Sequence, residues 1–183
     1  MKSKKTDLRV IKTKANIKRV FLDLLKKKPP EKITVTEIAE IALINKGTFY
    51  LHYQDVYALY EETIHDTIIE FCESIDFYED FFECPKAFVR KFIQLVVSGN
   101  NLEKTFPHIK PADTKVPVPH IMMEEMKRRI YALDILKQTI SNDIKLDCIL
   151  LDLFPVSFRY GKENVDETVA VVSHIIELLF KKE

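Results

Sequence analysis

The sequence predicts an all-α protein in two parts. These are an N-terminal three-helix helix-turn-helix domain over residues 1–55 and a larger C-terminal helical domain over residues 56–183. Three observations predict it. Apolar residues recur at three- and four-residue spacing over long stretches, and period-two alternation is rare. Only three of the 183 residues are glycine, while Leu, Ile, Lys and Glu dominate, a composition that favours helices. Two helix starts, at Thr34 and Asn45, follow one another so closely that the helix between them has room for about two turns.

Both starts carry capping chemistry. Thr34 with Glu37 three residues on is a capping box, and Ile33 and Ile38 stand at the positions of a hydrophobic staple. Asn45 caps the next helix, with Ile44 and Phe49 at the same spacing. Two short capped helices in tandem suit a helix-turn-helix, whose second helix can lie in a DNA major groove. Phe49 and Tyr53 share one face of that helix, which is expected to pack on Ile38, Ala39 and Ala42. Lys46, Gly47, Tyr50 and Leu51 then turn outward to meet base edges. Thr48 and His52 can donate to phosphates, which position a protein without specifying sequence. The alternative is an ordinary helical hairpin with a polar face.

The run INKGTFYLHY, from Ile44 to Tyr53, resembles the recognition helix of TetR-family transcriptional regulators, in particular a branch with I-N-(K/R)-G-T-F-Y-x-H-Y. The resemblance extends back to Arg9 and forward to Leu59, about the first third of the chain. It implies base contacts from Lys46, Gly47, Tyr50 and Leu51, phosphate contacts from Thr48 and His52, and a DNA contact from Thr36. It also implies a double-stranded DNA operator as partner, a homodimer joined through its last two helices as a four-helix bundle, and a small-molecule effector acting on the C-terminal domain. Two positions depart from the pattern. Val56 stands where the family has a phosphate-gripping lysine, and Leu43 stands where the turn commonly has glycine. By counterion-release logic the lost lysine lowers the salt slope by about one unit.

The net charge of zero hides an asymmetry. Residues 1–55 hold 13 Lys or Arg against 6 Asp or Glu, and the remainder holds 15 against 22. A basic head on an acidic body suits a protein that presents one end to a polyanion. The three cysteines form no disulfide framework. No signal peptide or long apolar run is present, so a soluble, reduced, cytoplasmic protein with no membrane contact is expected.

Taken in order, Met1 to Thr6 reads as a short basic arm. A helix follows from Asp7 to about Lys27, with the stripe Leu8, Ile11, Ala15, Phe21, Leu22 and Leu25, and Pro29 and Pro30 stop it. Asp55 caps a long helix running to about Ile75, along which Glu61, Glu62, Asp66, Glu70 and Glu73 are expected mainly in solvent. Phe77, Tyr78, Phe81 and Phe82 form an aromatic cluster. A helix then runs from Pro85 to Ser98 and closes at Gly99. The prolines between Thr105 and Pro119 break the chain into a loop. The next helix is expected over about His120 to Ile140, and another from a cap at Asn142 to near Gly161, kinked or interrupted by Pro155. The last runs from a cap at Asp166 to about Lys181.

The last two helices are apolar over more than one stripe, since Val171 and Leu178 add a second strip. Ile149, Leu153, Val172, Ile175, Ile176 and Leu179 are therefore expected at an interface with a second copy, the alternative being a thicker monomer core. Residues between Phe71 and Phe92, with Met122, Met123, Met126 and Tyr131, either line an effector cavity or form plain core. His65 and Cys72 with Glu61 lack the spacing and the fourth ligand of a metal site, and no metal or cofactor is expected. No glycine loop or nucleophile–base series marks an enzyme. The functional expectation is a repressor released from a pseudo-palindromic operator by its effector. The rivals are a protein-binding co-regulator on the same scaffold and a small helical enzyme.

Overall fold

The computed structural model describes residues 8–97 and 117–180, and every regular element among them is helical. In order these are α1 (Leu8–Leu25), a 3-10 turn (Pro30–Lys32), α2 (Val35–Ile41), α3 (Lys46–Tyr50), α4 (Val56–Glu73), α5 (Asp80–Glu83), α6 (Pro85–Val97), α7 (Val118–Ala132), α8 (Ile140–Tyr160) and α9 (Val165–Phe180). The expected basic arm, the close of α6 at Ser98 and Gly99, the loop as far as residue 116, and Lys181 lie outside the described residues. No described helix is long and apolar enough to cross a membrane.

Two compact units divide the chain after Ile64, inside α4. Residues 8–64 form the first. The expected boundary stood at residue 55, at the start of α4. The first turns of that helix bury Leu59, Tyr60 and Ile64, and Tyr60 meets the Phe21 ring edge-on at 6.3 Å. In α1 the buried face is Ile17, Val20, Phe21, Leu24 and Leu25. The expected stripe is corrected at its N-terminal end, where Leu8, Ile11 and Ala15 are exposed. Asn16 ties the middle of α1 to the α2–α3 turn through an Nδ2 bond of 2.8 Å to the Ala42 carbonyl.

The second unit comprises residues 65–97 and 117–180. Phe81 of α5 meets Phe88 of α6 at 5.2 Å and Phe180 of α9 at 5.6 Å, both edge-on, the preferred geometry for aromatic pairs. Along α6 the buried set is Phe88, Val89, Phe92, Ile93 and Val96. Met122, Met123 and Met126 of α7 are buried as well.

Three expected boundaries move. The helix expected to reach Ile140 ends at Ala132, because Asp134 takes a left-handed φ of 56° and donates back to the Tyr131 carbonyl. Aspartate tolerates that region better than most residues. Thr139, not Asn142, caps α8, its hydroxyl accepting from the Asn142 amide at 3.2 Å. Asp166 lies in the first turn of α9 rather than at its cap, where it accepts from Arg90 at 2.7 Å. Helix α8 runs on through Pro155 without interruption. At its end Gly161 is buried against α6, and a Cβ there would lie 2.7 Å from Ile93 Cγ2 and closer still to the Ser157 carbonyl oxygen.

Candidate nucleic-acid interface

The helix-turn-helix is set by its caps. The Thr34 hydroxyl accepts from the Glu37 amide at 3.2 Å, and Asn45 Oδ1 accepts from the Thr48 amide at 2.7 Å. Each such cap stabilises a helix by about 1 kcal/mol. The capping box is half made, since the Glu37 carboxylate accepts from Lys28 Nζ at 2.5 Å. Between the two helices the chain turns by a Schellman arrangement. The Ile44 amide donates to the Ala39 carbonyl, the Leu43 amide to the Glu40 carbonyl, and Leu43 sits at φ 55°. That conformation explains why glycine suits the position. Leu43 holds it with its side chain 92% exposed.

Helix α3 divides its faces as expected. Phe49 and Tyr53 are buried with Ile38, Ala39 and Ala42, their rings 5.7 Å apart. The other side presents Lys46, Gly47, Tyr50 and Leu51 to solvent, with Tyr50 56% and Leu51 83% exposed. Thr48 and His52 are half-buried at its edge, and Thr36 is exposed on α2. All seven residues expected at DNA belong to one unit. An aromatic ring and a leucine stand uncovered beside a lysine and a glycine that leaves the backbone open. Val56, in the place of the family lysine, is half-buried at the start of α4. Asp55 caps that helix, accepting from the Ala58 amide at 2.8 Å.

One acid of this head departs from the sequence expectation. Glu62 was expected in solvent with the other acids of α4. Its carboxylate instead accepts from Lys18 at 2.6 Å, from Lys14 at 2.9 Å, and from the Tyr53 hydroxyl at 3.4 Å. Lys14 also lies over the Tyr53 ring, 5.1 Å from its centroid. Burial pushes the Glu62 carboxyl up, but the hydrogen bonds from Lys18 and Lys14 outweigh it and hold the group below the usual range. No spacing rule within one helix reveals such a site, because its donors come from two other segments.

The residues proposed for an interface between copies fall into two classes. Ile149, Leu153, Val172 and Ile176 are buried within a single chain, packed where α8 and α9 close on their own unit, whereas Leu179 is half-buried and Ile175 exposed. The uncovered apolar strip of α9 is Val171, Ile175 and Leu178.

The effector-cavity residues expected from the sequence are mostly closed core. Phe88, Phe92, Met122, Met123 and Met126 are all buried. Tyr131 is an exception and lines a groove with His65 and His120. A larger groove, of about 960 Å³, opens in the second unit between α5, the start of α8 and the end of α9, with Phe81, Phe82 and Phe180 at its aromatic corner. Among the described residues no group of three His, Cys, Asp or Glu is placed to hold a metal ion. Cys72 is buried, and desolvation raises its thiol to about 12, leaving it unreactive at neutral pH.

No protein-family model matches the chain. A TetR transcriptional regulator from Rhodococcus sp. RHA1 superposes with a TM-score of 0.56 at 14% identity, over 97% of this chain and 99% of that one. A TetR-family transcriptional regulator from Streptomyces coelicolor gives a TM-score of 0.49 at 12% identity, over 92% of this chain and 79% of that one. In sequence, 52 residues are 40% identical to the uncharacterized HTH-type transcriptional regulator YxbF of Bacillus subtilis strain 168. That match spans 28% of this chain and 14% of the relative's length. The fold is therefore that of TetR-type regulators, all-helical with an N-terminal helix-turn-helix and a C-terminal helical domain.

Proposed function

We propose that this chain, which has the TetR-type fold, is a transcriptional regulator that reads double-stranded DNA with α3. One observation carries the reading. Helix α3 is fixed from behind by Phe49 and Tyr53, and its open face offers Lys46, Gly47, Tyr50 and Leu51 to solvent. A tyrosine on α3 and a leucine at its C-cap, both left uncovered, are suited to hydrogen-bonding and apolar contact with base edges. Thr48 and His52 flank them as phosphate donors, and Thr36 on α2 as a further DNA contact.

The fuller reading is a cytoplasmic homodimer on a pseudo-palindromic operator. Two-fold symmetry in the protein is matched by two half-sites in the DNA. The strip Val171, Ile175 and Leu178 supports a second copy docking along α9. Repression follows from occupying the operator. A small-molecule effector in the second unit releases DNA only if it binds the non-fitting state more tightly than the fitting one. The 960 Å³ groove is the supporting observation for such a ligand.

Val56 favours a second reading, a co-regulator that binds protein partners and grips DNA weakly, since one phosphate cation is missing. A salt-titrated mobility-shift assay with the chain's own upstream duplex and a random duplex separates the two. Retention of the upstream duplex alone supports the regulator. Equal, weak binding to both supports the co-regulator and defeats our reading.

A further inference from the structure

We propose that Glu62 is a positioning residue for DNA reading, a carboxylate on α4 that fixes the angle at which α3 is presented. The inference rests on the regulator reading and deepens it. The packing beneath α3 is apolar, and apolar contact has no direction. Phe49, Ile38 and Ala39 hold the helix down without preventing a small rotation. Hydrogen bonds to a charged group are short and directional. Glu62 collects two such bonds, from Lys14 and Lys18 on α1, and a longer contact of 3.4 Å from the Tyr53 hydroxyl, three residues beyond α3. Three elements therefore meet at one carboxylate, and a shift of α3 stretches the Tyr53 contact while a shift of α1 stretches the other two.

The charges reinforce the geometry. Lys18 sits 2.6 Å from one Glu62 oxygen and Lys14 bridges both, at 2.9 and 3.0 Å, so the carboxylate is what allows two ammonium groups to sit side by side. Removing its charge leaves like charges facing one another in a half-buried site, where water screens them poorly. Lys14 also covers the Tyr53 ring, so repulsion at the lysines reaches the residue that anchors α3. Position along the chain matters as well. Helix α4 continues into the second unit, and Glu62 stands two residues before the division after Ile64. Within the first unit it is a polar contact between α4 and α1.

The test compares the full chain with Glu62→Gln, which keeps shape and removes charge. The first measurement is amide hydrogen exchange without DNA. The Leu51, His52 and Tyr53 amides, which donate to the Gly47 and Phe49 carbonyls, are expected to exchange faster in the variant while amides in the middle of α1 and α4 do not. The second is the ratio of affinities for the upstream and random duplexes, expected to fall about tenfold with the salt slope unchanged. A swapped variant, Glu62→Lys with Lys18→Glu, is expected to recover part of both. Unchanged exchange at the end of α3 overturns the proposal, as does equal acceleration throughout the unit, the mark of plain destabilisation. Tighter binding with a steeper salt slope also overturns it, because Glu62 would then be masking two phosphate ligands. A wild-type chain that prefers no duplex sinks the regulator reading, and the exchange measurement still decides the role of Glu62.

Discussion

Ile175 and Ile176 are adjacent on α9 and opposite in environment, the first 41% exposed and the second 1%. The change of a single residue crosses from the chain's own core to its uncovered strip. Ile176→Glu is expected to unfold the second unit, because an unpaired charge would be buried there. Leu178→Glu, on the uncovered strip, is expected to leave the single chain folded and to weaken association of two copies. Sedimentation velocity with circular dichroism checks both. An unchanged mass for Leu178→Glu moves the interface elsewhere.

Tyr50 projects from α3 with its ring edge against Phe49 at 5.7 Å, and more than half of it is open. Tyr50→Ala is expected to keep the fold and to lose about 1–3 kcal/mol of discrimination between upstream and random DNA. A preference identical to wild type would remove Tyr50 from the reading set.

Leu43 holds a left-handed backbone at the close of α2, a conformation that costs an L-residue about 1–2 kcal/mol. Its side chain buries almost nothing in return. Leu43→Gly is expected to raise the unfolding midpoint, with a net gain of roughly 0.5–1 kcal/mol after the added freedom of the unfolded chain is subtracted. Urea denaturation measures it, and a lowered midpoint would show that Leu43 has packing the turn needs.

Gly161→Ala is expected to destabilise by about 1–3 kcal/mol, because the added methyl meets Ile93 and a backbone carbonyl that cannot move aside. Nearby, Ser157 Oγ is buried without a hydrogen-bond partner among the described residues. Ser157→Ala removes that polar atom and is expected to be neutral or stabilising. A clear loss of stability in Ser157→Ala would reveal a partner for the hydroxyl.

Acid should loosen both units. In the second unit, hydrogen bonds from Arg128 and, against the opposing effect of burial, from Arg129 hold the Glu125 carboxyl below its ordinary value of 4.5. Glu62 is depressed likewise, with burial opposing Lys18 and Lys14. A carboxyl depressed by folding adds stability above its unfolded value and loses it as pH falls through the folded one. Stability is therefore expected to decline below about pH 4.5, and less steeply in Glu125→Gln. Denaturation midpoints across pH 3–7 (about that span suffices) test the difference.

What the sequence disclosed follows the range of the forces involved. The caps at Thr34, Asn45 and Asp55 act within three residues and were legible. So were the two faces of α3, which follow from helical periodicity. Glu62 was not, because its Lys14 partner lies 48 residues away and looks like any other solvated cation. Leu8 and Ile11 kept the periodicity of α1 yet stand exposed among the described residues, so pattern alone overstated the core there. The early stop of α7 turned on Asp134 adopting a glycine-like backbone, which its residue type permits without announcing. The interface residues on α8 and α9 were apolar as read, but a stripe count does not say which side the chain covers with itself.

The path of α4 has a practical consequence for dissecting this protein. A fragment ending at residue 55 would discard Leu59, Tyr60 and Ile64 and strip Phe21 of its ring partner. An isolated helix-turn-helix piece must therefore carry its share of the long helix, through Ile64, to be a fair specimen of the first unit.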